Sequence, residues 1–247
     1  MKLTKLVALI LVLALVLPMT LTACEERPQP LPTQTPTEGP GQEPTQDPTQ
    51  DPTQGNDEEK YLSLGKIENG VYTNDYIGIG WNFDDSWSVK GAQELQELPD
   101  TIKDMMSGSQ LGEALDSYEN IIDMQGENVA NLQVINVVYT KLKLSDRLLY
   151  ATMTSEQIVD SVLAQKDLLI EAYRQVGINV QSMEKMQVTY LGEEAWAIYT
   201  VSEVSGVAYF MLQVYNYHLG AYGYTLTASS YMEDNTQWIL GMVYPLK

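Results

Sequence analysis

One cysteine and one histidine occur in 247 residues, and the longest apolar run covers only Leu6 to Leu17. A single cysteine excludes an intramolecular disulfide and any cysteine-rich metal cluster. A single histidine, His218, removes the zinc sets built from two or three imidazoles. Basic side chains are also scarce, with 14 Lys and Arg against 33 Asp and Glu and a formal net charge of −19. A nucleic-acid binder needs clustered cations to displace counterions from phosphates, so that class is excluded. The same charge repels an anionic lipid surface. Attachment to a membrane therefore has to be covalent.

The N-terminus supplies a means. Lys2 and Lys5 form a short positive region, and the 12 apolar residues Leu6 to Leu17 are too few to span a bilayer but suit a cleaved signal. Leu21-Thr22-Ala23-Cys24 follows, with a branched residue three positions before the cysteine and small residues at the next two. This tetrapeptide resembles the lipobox of bacterial lipoproteins. The resemblance implies a signal over residues 1–23, a diacylglyceryl group on the Cys24 thiol, and Cys24 as the new N-terminus. Two acyl chains make a stable anchor where one is marginal, since each buried methylene contributes about 0.8 kcal/mol. Loss of Lys2 and Lys5 leaves 12 basic residues against 33 acidic ones, a net −21.

Residues 24–59 read as a tether that begins at the lipidated cysteine. From Glu25 to Glu59 the chain holds 8 of its 11 prolines, and Glu43-Pro-Thr-Gln, Asp47-Pro-Thr-Gln and Asp51-Pro-Thr-Gln repeat in register. Proline at every fourth position denies helix and sheet bonding, and few apolar groups are present to offset the entropy of ordering. The expectation is a disordered acidic spacer reaching ~35 Å as a coil and ~110 Å as extended polyproline II.

Residues 60–247 are then a single globular domain. A chain of that length buries roughly 70% of its unfolded surface, enough for a core without disulfide or metal. Val71 to Phe83 reads as a hairpin split at Asn74-Asp75, and Ala92 to Met106 as a helix interrupted by Pro99. Tyr118 to Met124 and Asn131 to Leu142 read as strands around a Gly126-Glu127-Asn128 turn. In the second, Leu132, Val134 and Val138 alternate with Ile135, Val137 and Tyr139, so both faces of the sheet are expected to be covered. Thr154 to Val176 has a capping box at Thr154 and Gln157, an apolar stripe and a Gly177 stop, which predicts one long helix. Four strands follow, Gln181 to Leu191, Ala195 to Ser202, Val207 to Leu219 and Tyr222 to Ser229, as an antiparallel meander. Asp234 is expected to cap a closing helix over Trp238, Ile239 and Leu240. The order of elements gives an α+β class, a mainly antiparallel sheet with helices packed on it.

The opening Gly70-Val-Tyr-Thr-Asn-Asp-Tyr-Ile-Gly-Ile-Gly-Trp81-Asn-Phe83, with Trp87 after a short turn, and the closing Trp238-Ile-Leu240 to Val243-Tyr-Pro-Leu246 carry a resemblance. They are similar to the start and end of PsbP-like α/β/α sandwich domains. Asp84-Asp85-Ser86 stands where many such domains place a Pro-x-Gly turn. The resemblance implies an extrinsic binding or assembly role and brings no catalytic residue set.

The residues themselves point away from catalysis. His218 lies near the end of an expected strand with no second histidine and no serine elbow beside it, so a triad lacks its parts. Asp84-Asp85, Glu193-Glu194 and Glu233-Asp234 fall in expected turns, where acids serve solvation and capping. No metal and no cofactor is expected. The aromatic alternation is the stronger lead. Tyr209, Met211, Tyr215 and Tyr217 share one face of a strand, and Tyr222 and Tyr224 follow in the next. Under a double helical cover they are core; under a short one they form an exposed platform for a partner.

The function expected from the sequence is a non-enzymatic lipoprotein at the extracytoplasmic face of the cell membrane, in the style of a Gram-positive envelope. Its domain would bind an envelope protein or polymer and no nucleic acid. A small-ligand or solute-binding lipoprotein and, behind it, a carboxylate-based hydrolase are the alternatives. Replacing Cys24 by Ala is expected to leave an unprocessed precursor without acyl label, and normal globomycin-sensitive maturation of that variant would refute the anchor.

Overall fold

The computed structural model describes residues 62–95 and 119–247. The expected signal, Cys24, the tether and most of the Ala92 to Met106 helix lie outside them. The described chain opens with β1 (Lys66–Glu68), β2 (Val71–Asn74), β3 (Ile79–Asn82) and β4 (Ser88–Gly91), then a 3-10 turn at Ala92–Glu94. After residue 118 come β5 (Asn120–Asn128), β6 (Gln133–Lys141), α1 (Leu144–Tyr150), α2 (Ser155–Leu163) and α3 (Lys166–Gln175). The meander β7 (Ile178–Tyr190), β8 (Glu193–Val204), β9 (Val207–Asn216) and β10 (Tyr222–Tyr231) follows, and α4 (Thr236–Leu240) and β11 (Val243–Pro245) close the chain.

The strands form two antiparallel sheets. One has seven strands in the order β4-β5-β6-β10-β9-β8-β7, the other four in the order β1-β2-β3-β11. Three hairpins turn on two residues of positive φ, Asn69-Gly70, Leu191-Gly192 and Ser205-Gly206, the twist that suits right-handed strand pairs.

Alternation places each side chain of the large sheet under one of two covers. Tyr209, Met211 and Tyr215 of β9, and Tyr217 just past its end, pack with Ile158, Val159 and Val162 of α2 and with Leu169, Ala172 and Tyr173 of α3. Leu212 and Val214, one residue out of step, pack with Ile135, Val137, Leu226 and Ala228 against Tyr72, Ile79 and Trp81 of the small sheet and Ile239 and Leu240 of α4. The fold is α+β with helices on a mainly antiparallel sheet, as the order of elements predicts. The cover opposite the helices is made chiefly by the small sheet, with α4 beside it.

Three details differ from the sequence reading. Gly126-Glu127-Asn128 is strand, and the chain reverses at residues 129–132 instead. The long helix is broken at Ala164 and Gln165 into α2 and α3, although its start stands as expected: Thr154 Oγ1 accepts from the Gln157 amide and Gln157 Oε1 from the Thr154 amide. The short helix α1 is an addition.

A buried polar cluster joins the two sheets. Asp123 stands at a register shift of β5 between Ile122 and Met124. Its carboxylate accepts from the Tyr72 hydroxyl, from Asn74 Nδ2 at 2.7 Å and from the Gly65 amide at 2.8 Å. Asn74 Nδ2 also donates to the Tyr139 hydroxyl at 2.8 Å. Burial lifts the Asp123 carboxyl above the ordinary carboxylate range, against the pull of those three donors, and burial next to Asp123 pushes the Tyr72 hydroxyl up as well.

Gly126 explains why β5 runs through a residue that usually ends strands. The Trp81 indole packs against it, with Trp87 perpendicular to Trp81 at a ring-centroid distance of 5.0 Å. A Cβ at position 126 would sit 2.4 Å from Trp81 Cη2 and 3.2 Å from Ile135 Cγ2. Gly126→Ala is expected to cost about 1–3 kcal/mol, the range for overpacking a close-packed core, read as a lower urea midpoint; an unchanged midpoint would show that the two sheets can separate at no cost.

Candidate functional site

The aromatic stripe is not a platform. Tyr209, Met211, Tyr215, Tyr217 and Tyr224 are all buried, and only Tyr222 is half-exposed, beside Lys141 across the β6–β10 pair. The first four face the helices, while Tyr224 lies on the opposite side and meets the Tyr190 hydroxyl at 3.2 Å. Burial raises the Tyr209, Tyr215 and Tyr224 hydroxyls above the usual phenol range. The core alternative of the sequence reading is the one observed, because helices on one face and the small sheet on the other leave none of these five exposed. Cys24 lies outside the described residues.

The other chemistry-bearing residues also find local employment. His218 is exposed past the end of β9, and its amide donates to Asn216 Oδ1. Asp84 accepts from the Ser86 amide, which with the Ser86 hydroxyl holds its carboxyl below the usual range. Glu194 accepts from Gln187 Nε2 at 3.2 Å. Asp234 accepts from the Tyr199 hydroxyl and from the Thr236 amide and hydroxyl, so it does anchor the start of α4. Among the described residues no group of three His, Cys, Asp or Glu could hold a metal ion.

A cleft of about 470 Å³ opens at the end of the large sheet where β5 turns into β6 and the chain leaves β10. Leu132 and Gln133 form one wall, Tyr231, Met232 and Glu233 the other, and Trp238 of α4 the rim. The Tyr231 amide donates to the Leu132 carbonyl across the base, and the Met232 amide donates to the Ala208 carbonyl. Both walls are therefore held by backbone bonds. Met232 is 67% exposed and Trp238 56%, although neighbours Ile239 and Leu240 are sealed in the core. The closing helix covers two of its three expected residues and presents the third to solvent.

Backbone strain and an unpartnered polar group meet at this cleft. Five non-glycine residues among those described have positive φ. Asn69, Leu191 and Ser205 are the first members of hairpin pairs completed by glycine; the other two, Leu132 at φ 54° and Met232 at φ 67°, both line the cleft. A residue with a Cβ pays about 1–2 kcal/mol for that conformation, and such residues collect at functional sites. Gln133 is 5% exposed, and its Oε1 has no hydrogen-bond partner. Buried Asn136 also lacks partners, but it lies on the helix-facing side of β6, whereas Gln133 borders an opening. Burial lifts the Tyr231 hydroxyl well above its usual range.

The sequence reading did not select Leu132, Gln133, Met232 or Trp238 for this role. Gln133 left a signal, a polar residue where alternation calls for an apolar one. Left-handed backbone at Leu and Met leaves none.

No family model matches the chain, and no curated protein matches it. Among solved structures, the chain is similar to the solution structure of cyanobacterial PsbP (CyanoP) from Synechocystis sp. PCC 6803, at 11% identity and a TM-score of 0.40, over 75% of this chain and 98% of that one. A likeness of that strength carries no argument about role, which rests on the cleft.

Met232→Gly is expected to raise stability by about 0.5 kcal/mol, since relief of a left-handed non-glycine residue exceeds the added freedom of the unfolded chain. Urea denaturation reads the change, and a midpoint below the wild type's would show that the exposed Met232 side chain is held by packing and stores no strain.

Proposed function

We propose that this protein is a non-catalytic binding module, held at the extracytoplasmic face of the membrane by diacylglyceryl-Cys24 and displayed on its acidic tether, and that the cleft at the sheet end is where it holds an envelope partner. One observation carries the assignment of the site. The exposed apolar rim of the cleft, Met232 and Trp238, includes Met232, the one left-handed non-glycine residue among those described that lies outside a hairpin turn. A fold that maintains strain to present a methionine and a tryptophan to solvent has the features of an interaction surface: tryptophan contributes heavily to interface energetics, and methionine adapts to irregular partners.

The volume of about 470 Å³ falls in the range of small-molecule sites, which keeps the ligand-binding alternative as second reading. The hydrolase alternative gains no support, because Asp84 lies in the turn between β3 and β4, Glu194 at the start of β8 and Asp234 ahead of α4, each with different hydrogen-bond partners. The membrane placement rests on the Leu21-Thr-Ala-Cys24 motif and on the excess of acidic residues, which leaves a covalent anchor as the means of holding the protein at a lipid surface.

A photo-crosslinking amino acid in place of Trp238, in the full chain in intact cells, is expected to give one discrete adduct. The same residue in place of Asp167, exposed on α3 over the β7 side of the sheet, should give none. Equal labelling from both positions, or none from Trp238, would reject the cleft as the binding surface.

A further inference from the structure

We infer that the occupant of the cleft is a cationic polypeptide segment that lays a lysine or arginine side chain over Trp238 between Glu233 and Gln133. This rests on the cleft being the binding site and names the chemistry it selects. Among the described residues that line the cleft the one charged group is the Glu233 carboxylate, and none is Lys or Arg. Gln133 Oε1 adds a buried acceptor in want of a donor. The exposed Trp238 indole is the best of the aromatic faces for a cation. A carboxylate and an indole at one opening match an ammonium or guanidinium, each of which brings several N–H donors and no acceptor.

Charge also removes the nearest competitors. The chain's own tether carries nine acids and a single Arg27, and a second mature copy carries a net −21; both are repelled by Glu233 and by the domain around it. Nucleic acid is repelled for the same reason. The apolar rim continues past the cleft on both sides, with exposed Val129 in the turn before Ala130 and exposed Val207 beside the Ala208 carbonyl that holds Met232. A lone amine would leave that rim in water, whereas a segment of several residues covers it while its cation enters the recess.

Calorimetric titration of the full mature chain with an acetylated, amidated tetralysine tests this, with tetraglutamate and a neutral N-acetylglucosamine tetrasaccharide as comparison ligands. Tetralysine alone is expected to bind. Trp238→Ala should weaken it about tenfold and Glu233→Gln about threefold, while Asp167→Asn, which removes the same unit charge far from the cleft, changes it less than about twofold. Equal weakening by Glu233→Gln and Asp167→Asn would mean diffuse attraction to an acidic protein and would overturn the proposal. So would absence of tetralysine binding, or tighter binding of either comparison ligand. If the crosslinker at Trp238 still captures one partner while tetralysine fails, the cleft stands as the binding site and only its cationic selectivity falls. If both fail, the cleft itself is the wrong site.

Discussion

Both faces of the seven-stranded sheet are buried along its central strands and carry most of the apolar core, and a sheet in that state cannot stand against water on either side. Eight of nine residues of β6 and nine of ten of β10 are buried, so the strands at the middle of the molecule demand two covers. Helices α2 and α3 supply one. The other is assembled from the two ends of the domain: β1 to β3 come from its start, and β11, which pairs with β3, from its finish. Each fully buried large apolar side chain contributes about 1.5–3 kcal/mol, so exposing Ile135, Val137, Leu212 and Leu226 by loss of the small sheet would consume much of the stability of a domain this size. The Asp123 cluster and the Trp81 indole over Gly126 fix how that second cover sits, since hydrogen bonds have direction and apolar contact alone does not.

The cleft is a consequence of the same requirement. Where the large sheet ends, the covers run out, and the chain has to reverse from β5 to β6 and leave β10 within a few residues of each other. Strand pairing persists to that end, with the Tyr231 amide on the Leu132 carbonyl, and it forces Leu132 and Met232 into left-handed backbone. Glycine or asparagine at either place would relieve the strain. Leucine and methionine are there instead, and their side chains line an opening.

Charge gives the surface its direction. With 14 Lys and Arg against 33 Asp and Glu, the chain carries a formal net charge of −19, a potential that opposes the approach of other anions.

The Ser205-Gly206 turn and the α2 start were legible because they rest on local chemistry: Ser205-Gly206 suits paired positive φ, and Thr154 with Gln157 satisfies the first amides of a helix. The turn assigned to Gly126 was misread because a glycine that breaks a chain and one that admits an indole look the same in sequence. The aromatic alternation from Tyr209 to Tyr215 was read correctly as one face of a strand, yet whether that face met helices or water depended on α2 and α3, distant in sequence. Trp238 shows the converse, since it shares a helical pattern with Ile239 and Leu240 and is exposed only because of how α4 lies on the sheet. By itself the sequence determined element order, the acidic balance and the Leu21-Thr-Ala-Cys24 motif, all properties of neighbouring residues or of sums over the chain. Tertiary structure alone decided which apolar residues reach solvent and where backbone strain collects, because burial and left-handed turns depend on what packs against a residue from elsewhere in the chain.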